Sequence, residues 1–138
     1  MPTTHFEWRD EYSVNVKLID QQHKKLIKTI DDLYQSILAN KAKKEISEIF
    51  RQLNMYSNYH FFTEEKYFKE FNYEGTDSHM AIHKKFKKDV AEMEYRLKDE
   101  DFNAFELLSF LQDWWVNHIL NVDKKYSKNF NQHGLNNH

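Results

Sequence analysis

Two pairs of metal-type side chains stand in one short stretch of the chain, His60-Phe-Phe-Thr-Glu64 and His79-Met-Ala-Ile-His83. On an α-helix, positions i and i+4 lie one above the other on the same face. Each pair therefore presents two donors in one direction. Between them, Asn72 to Ser78 reads as a turn with the only mid-chain glycine, Gly75, and capping candidates Thr76, Asp77 and Ser78. Such a turn folds one pair back toward the other and makes half of a metal cage. Imidazole and carboxylate without sulfur suit iron, manganese or zinc.

The other half of the cage depends on the elements that would carry it. At 138 residues the chain is one domain with room for a real core. It has only 2 Gly and 1 Pro, which argues for long helices joined by short connections, and its 16% aromatic content supplies core volume. Apolar spacing predicts four helices, over about 20–39, 42–71, 78–98 and 103–127. Their inner stripes read His23, Leu26, Ile30, Leu33, Ile37; then Ile46, Ile49, Leu53, Tyr56, His60, Glu64, Tyr67, Phe71; then His79, Ile82, His83, Phe86, Val90, Met93, Leu97; and Phe105, Leu108, Leu111, Trp115, His118, Ile119, Val122. Asn40 is a candidate left-handed cap for the first helix. The expected fold class is all-α, an antiparallel up-down-up-down four-helix bundle with an extended N-terminal arm. The expected layout is an arm over 1–17, the bundle over 18–127 and a flexible, Asn-rich tail over 128–138.

In such a bundle, residues equally far from a connecting turn sit at one height. Counted this way, His23, His60, Glu64, His79, His83 and His118 come to one level within about 12 Å, toward the end holding the turn near Gly75. Of the 8 histidines, these five lie on inward stripes, while His5, His133 and His138 lie in the arm and tail. A lone inward histidine is ordinarily a hydrogen-bonded core residue, and His60/Glu64 alone would be an ion pair. Five imidazoles and a carboxylate in one layer are too much polar surface to bury without a cation. They are also too many for one metal with an open position, so two metals are expected, and charge balance calls for a second bridging carboxylate. His118-Ile-Leu-Asn-Val-Asp123 offers one. Its i+5 spacing puts Asp123 about 140° off the stripe, so a local bulge at the helix end would be needed to aim it inward.

At this point the chain resembles the hemerythrin family over nearly its whole length. The resemblance rests on Asp20-Gln-Gln-His23-Lys-Lys-Leu, His60-Phe-Phe-Thr-Glu64-Glu, His79-Met-Ala-Ile-His83, Trp114-Trp115-Val-Asn-His118-Ile-Leu-Asn-Val-Asp123-Lys-Lys-Tyr126 and the Phe6-Glu-Trp8 start. It implies a non-haem di-iron centre that binds O2 reversibly, for carriage, storage or delivery, with no catalytic residue. It places His79, His83 and His118 on one iron and His23 and His60 on the other. Glu64 and Asp123 would bridge both, together with a solvent-derived oxo or hydroxo group. One coordination position then stays open, on the iron with two imidazoles. Small anions such as azide would enter there in the oxidised state. A dry pocket around it would be lined by Phe61, Trp115 and Ile119, residues whose plainer role is core packing. The position of Trp115 is commonly Leu in the family, so a narrowed pocket and altered O2 access are expected. A monomer or small homo-oligomer is expected.

Other readings are a di-iron sensor of O2, nitric oxide or redox state, an iron-handling protein, and a ferritin-like oxidase or peroxidase. The last class uses Glu-x-x-His pairs, and no His here has Glu three before it. A zinc peptidase would need His-Glu-x-x-His, which is absent, and a metal-free bundle remains the bland reading. The lack of Cys removes disulfides, thiolate catalysis and iron–sulfur clusters. Net charge is −2 with neutral histidines, which gives no electrostatic case for nucleic acid. No apolar run approaches the roughly 20 residues of a membrane span, and the polar N-terminus has no secretory core, so the cytoplasm is the expected location.

Overall fold

The computed structural model describes residues 6–99 and 102–137. His5 and His138, and part of the connection expected near 101, lie outside them. Four long helices follow one another: α1 (Lys17–Leu38), α2 (Lys43–Glu70), α3 (Thr76–Arg96) and α4 (Ala104–Asn121). A 3-10 turn, Asp123–Tyr126, and a short helix α5 (Ser127–Gln132) follow. Among the described residues there is no strand.

The connections are short because the helix ends are terminated locally. Asn40 and Asn72 both take left-handed conformations, φ 55° and 51°. Behind them Lys41 N–H donates to Ser36 O (3.0 Å) and Tyr73 N–H to Phe68 O (3.0 Å), the six-to-one bond that closes a helix end. Asparagine tolerates this region better than most side chains, since its amide bonds locally. The α2–α3 turn therefore reverses at Asn72, not at Gly75, whose φ is −82°. Gly75 is small for another reason: a Cβ there would stand 2.8 Å from the Tyr73 ring, which packs inward against Phe68 and Tyr126. The expected caps Thr76, Asp77 and Ser78 do not cap α3 by side chain; Thr76 lies within the helix, and its hydroxyl donates to Tyr73 O (2.5 Å). Asn103 does cap α4, accepting from Phe105 N–H (2.9 Å).

Helix faces follow the expected stripes with shifts in phase. In α1 the buried set is Ile19, Asp20, His23, Leu26, Ile27, Thr29, Ile30, Leu33 and Tyr34. In α2 the innermost line runs Ile46, Phe50, Leu53, Ser57, His60, Glu64 and Phe68. The expected Ile49, Tyr56, Tyr67 and Phe71 are only half-buried at its border. Tyrosine favours a border because its ring packs while its hydroxyl reaches water. Phe105 is 44% exposed, and Leu107 takes the inner place in the first turns of α4.

The arm is tied to α1 by Asp20. This buried carboxylate accepts from Val14 N–H (2.9 Å) and Ser13 Oγ–H (2.5 Å), and Tyr12, Val14 and Val16 are buried beside it. Residues 10–12 form a 3-10 turn, so the arm is not extended throughout. Replacing Asp20 with Ala orphans those donors and is expected to cost about 1–3 kcal/mol. An unchanged urea midpoint would refute the role of this clasp.

The segment expected to be a flexible tail is packed over its first half. Phe130 is fully buried against Tyr126, Phe68, Tyr67 and Phe71. Lys17 N–H donates to Asn136 O (3.0 Å), and Asn131 Nδ2–H donates to Asn15 O (3.0 Å). Of the asparagines that suggested a loose end, Asn131 donates by its side chain to the arm, Asn136 accepts there by its carbonyl, and Asn129 donates to Phe71 O (3.3 Å) at the end of α2.

Candidate metal centre

Five elements bring the seven expected donors to one place. His23 comes from α1, His60 and Glu64 from α2, His79 and His83 from α3, His118 from α4 and Asp123 from the 3-10 turn. All seven are at most 3% exposed. Asp123 gets there through a break in the helix. The α-helix stops at Asn121, Val122 bends to φ −117° and ψ −56°, and the chain tightens into the 3-10 turn. The expected bulge is thus a change of helix type, which removes the angular offset of an i+5 spacing.

The donors form two groups that share one carboxylate, His79–His83–His118–Glu64 and His23–His60–Glu64–Asp123. Within each group the ligand atoms lie within 4.8 Å of one another. The Nε2 atoms of His23 and His60 are 3.0 Å apart, and those of His79 and His118 are 3.1 Å apart. Asp123 spans the groups: Oδ1 is 3.0 Å from both His79 Nε2 and His118 Nε2, and Oδ2 is 2.9 Å from His23 Nε2. Glu64 Oε1 is 3.3 Å from His60 Nε2 and 3.1 Å from His83 Nε2. Although close, all four carboxylate oxygens and His83 Nε2 lack a hydrogen bond of acceptable alignment. Their contacts converge on shared points instead of pairing one to one. That is the geometry of ligands arranged around cations, and it is a costly way to bury polar atoms otherwise.

Protonation agrees with this. Burial, then the nearby His23, pushes His60 down to about 3; burial, then His79, pushes His83 down to about 2. Both rings are neutral at ordinary pH, the form in which imidazole binds a metal. Burial and the adjacent Asp123 raise Glu64 well above the usual carboxylate range. Burial would also raise Asp123, but His118, with His23 and His60, holds it well below that range. The buried carboxylates thus have only imidazoles to offset them, an arrangement that cations would complete.

Two residues that sequence reasoning passed over orient the rings. His60 Nδ1–H donates to Gln22 Oε1 (2.7 Å). The amide's orientation is set in turn, because Gln22 Nε2–H donates to Thr63 Oγ (3.2 Å) and Thr63 Oγ–H donates to Tyr59 O (3.0 Å). His83 Nδ1–H donates to Glu65 Oε2 (2.9 Å). A proton held on Nδ1 leaves the Nε2 lone pair facing inward. Both residues immediately neighbour a donor, at His23 and Glu64, and so fall off the inward stripe that drew attention. Aromatic plates fix other rings: Phe61 stacks on His83 (3.9 Å), Trp114 on His118 (4.3 Å) and Tyr126 on His79 (5.8 Å). Burial, with the Glu64 and Asp123 charges, pushes the Tyr126 hydroxyl well above the phenol range, so it stays protonated. The three expected pocket residues, Phe61, Trp115 and Ile119, are all buried. Trp115 lies against His60 (5.8 Å) and His23 (6.3 Å) and stacks on Phe61 (5.7 Å).

Residues 14–128 match the family described as Hemerythrin HHE cation binding domain. Two of the curated relatives that are 30% identical illustrate the match. One is a bacteriohemerythrin of Pseudomonas aeruginosa (strain LESB58), aligned over 122 residues that cover 88% of this chain and 79% of the relative. The other is a bacteriohemerythrin of Clostridium acetobutylicum, aligned over 127 residues that cover 88% and 98%. A solved structure described as wild-type hemerythrin superposes with a TM-score of 0.82 at 29% identity, covering 88% of this chain and 94% of that one.

Proposed function

The chain belongs to the hemerythrin family, and we propose that it binds O2 reversibly at a non-haem di-iron centre. In this reading His79, His83 and His118 would hold one iron, His23 and His60 would hold the other, and Glu64 and Asp123 would be shared between them. The observation that carries it is the asymmetry of the two groups, three imidazoles in one and two in the other, with Glu64 common to both. An iron pair, when bound, would supply an open position beside His23 and His60 and the electrons that O2 borrows.

The chain's own residues do the rest. Asp123, with one oxygen toward each group, fixes the separation of the sites. Gln22 and Glu65 keep the Nδ1 protons in place, so that the rings present lone pairs and do not rotate. Phe61, Trp115 and Ile119 make a dry wall. Exclusion of water slows the replacement of O2 by solvent and the loss of electrons to it. In this reading the carboxylates are committed as bridges and are not free to carry a proton to or from a substrate. The donor ratio of five imidazoles to two carboxylates favours carriage over the carboxylate-rich sites of di-iron oxidases. Among the described residues no helix is long and apolar enough to cross a membrane.

The decisive experiment is iron analysis with visible spectra of the anaerobically reduced protein before and after O2. About two irons per chain and a charge-transfer band that disappears on removing O2 are expected. Zinc alone, a single metal, or irreversible oxidation would defeat the reading. Glu65→Gln, which replaces the carboxylate accepting from His83 by an amide, is expected to weaken iron retention by roughly 10-fold. Iron loss to a competing chelator measures it, and retention equal to the unmodified protein would remove Glu65 from this role.

A further inference from the structure

Trp115 holds a buried hydrogen-bond donor with nothing to donate to. Its ring is fully buried, and Nε1 has no hydrogen-bond partner among the described residues. The rings around it are His60 (5.8 Å), His118 (6.1 Å), His23 (6.3 Å), Phe61 (5.7 Å), Phe86 (5.7 Å) and Trp114 (4.9 Å). The phenylalanines have no lone pair to offer and Trp114 is itself only a donor. His60 gives its Nδ1 proton to Gln22 and turns Nε2 toward Glu64. The Trp115 ring faces both imidazoles of the group that has only two, at 5.8 and 6.3 Å, but just one of the other three, His118, within ring-contact range at 6.1 Å; the two-imidazole side is where the proposed function places the open position. Size alone would be served there by any large apolar residue; indole adds a neutral donor that does not titrate.

We propose that the Trp115 Nε1–H donates a hydrogen bond to the small ligand bound at the open position of the iron held by His23 and His60. This rests on the di-iron reading above and deepens it. Ligands at such a site gather negative charge on the atom away from the metal, as azide does and as O2 does when it draws electrons. A fixed N–H in a dry pocket stabilises that charge without reorganising. Trp115 therefore acts as a specificity determinant: it favours ligands whose far atom accepts a hydrogen bond, and it holds them by slowing departure more than by narrowing entry.

The test uses iron-loaded, oxidised protein and azide, with association and dissociation rates followed in the visible band. Trp115→Phe keeps an aromatic wall and removes the donor. Its azide dissociation is expected to be about 10-fold faster, with a much smaller change in association and unchanged iron content. Trp115→Tyr, which returns an O–H, is expected to recover part of the loss. Dissociation at the unmodified rate in Trp115→Phe overturns the proposal. If that variant fails to hold iron, the unmodified protein decides. Its ultraviolet resonance Raman difference spectrum, with and without azide, must show one indole N–H becoming hydrogen-bonded, and no change overturns the proposal. Unmodified protein that holds no iron pair or binds no azide instead defeats the di-iron reading on which the proposal rests.

Discussion

Asp123→Ala is expected to reduce bound iron from about two atoms per chain to one or none and to abolish the O2-dependent visible band, while far-ultraviolet circular dichroism stays the same. The expectation follows from where the carboxylate sits. Its two oxygens face different imidazoles, Oδ1 toward His79 and His118 and Oδ2 toward His23. Removing it deprives both proposed irons of a ligand and of half the bridging charge. Neutral imidazoles cannot make good that charge. The helical content should survive because Asp123 lies in a 3-10 turn after α4 has ended, and the aromatic contacts of Tyr126 and Phe130 continue to anchor the segment. Asp113→Ala, an exposed acid ten residues earlier on α4, serves as the matched control. Two irons and an unaltered spectrum in Asp123→Ala would remove it from the centre.

Asp123 also shows which parts of the site a sequence can disclose. His23, His60, Glu64, His79, His83 and His118 are legible because each stands on a helical stripe among apolar residues, and a stripe has one inward direction. Their common height is legible because a regular helix rises by a constant amount per residue. Asp123 breaks both regularities; only charge bookkeeping and the family's motif pointed to it, and the change to a 3-10 turn that aims it is not written in periodicity. Gln22 and Glu65 escaped for the opposite reason. They are ordinary polar residues on helix flanks, and their importance arises only from ring nitrogens presented by another helix. The turn expected over Asn72 to Ser78 reverses at its first residue, Asn72, and its glycine, Gly75, yields space to the Tyr73 ring instead of supplying backbone freedom. Phe130 was hidden among asparagines, since one aromatic residue has no period to detect.

Removing the metal is expected to lower the melting temperature by roughly 15 °C without abolishing cooperative unfolding. A ligand present at about a thousand times its dissociation constant stabilises the native state by about 4 kcal/mol. A chain of this size shifts by roughly 3–5 °C for each kcal/mol. The metal-free protein should nonetheless fold, because an apolar core runs through all four long helices, from Leu26, Ile30 and Leu33 in α1 to Leu107, Leu108 and Leu111 in α4. What it loses is local. Without a cation, Glu64 and Asp123 are two buried carboxylates side by side, one pushed up by burial and the other held down by imidazoles. Asp123 is held by a short 3-10 turn without regular α-helical hydrogen bonding of its own, anchored by the Tyr126 ring. Hydrogen exchange after chelation should therefore quicken first over 118–132, where the turn joins α4 to α5, and least in the middle of α1. Uniform acceleration along the chain, or none at the turn, would mean that the metals stabilise the bundle as a whole and that the turn is held by Tyr126 and Phe130 alone.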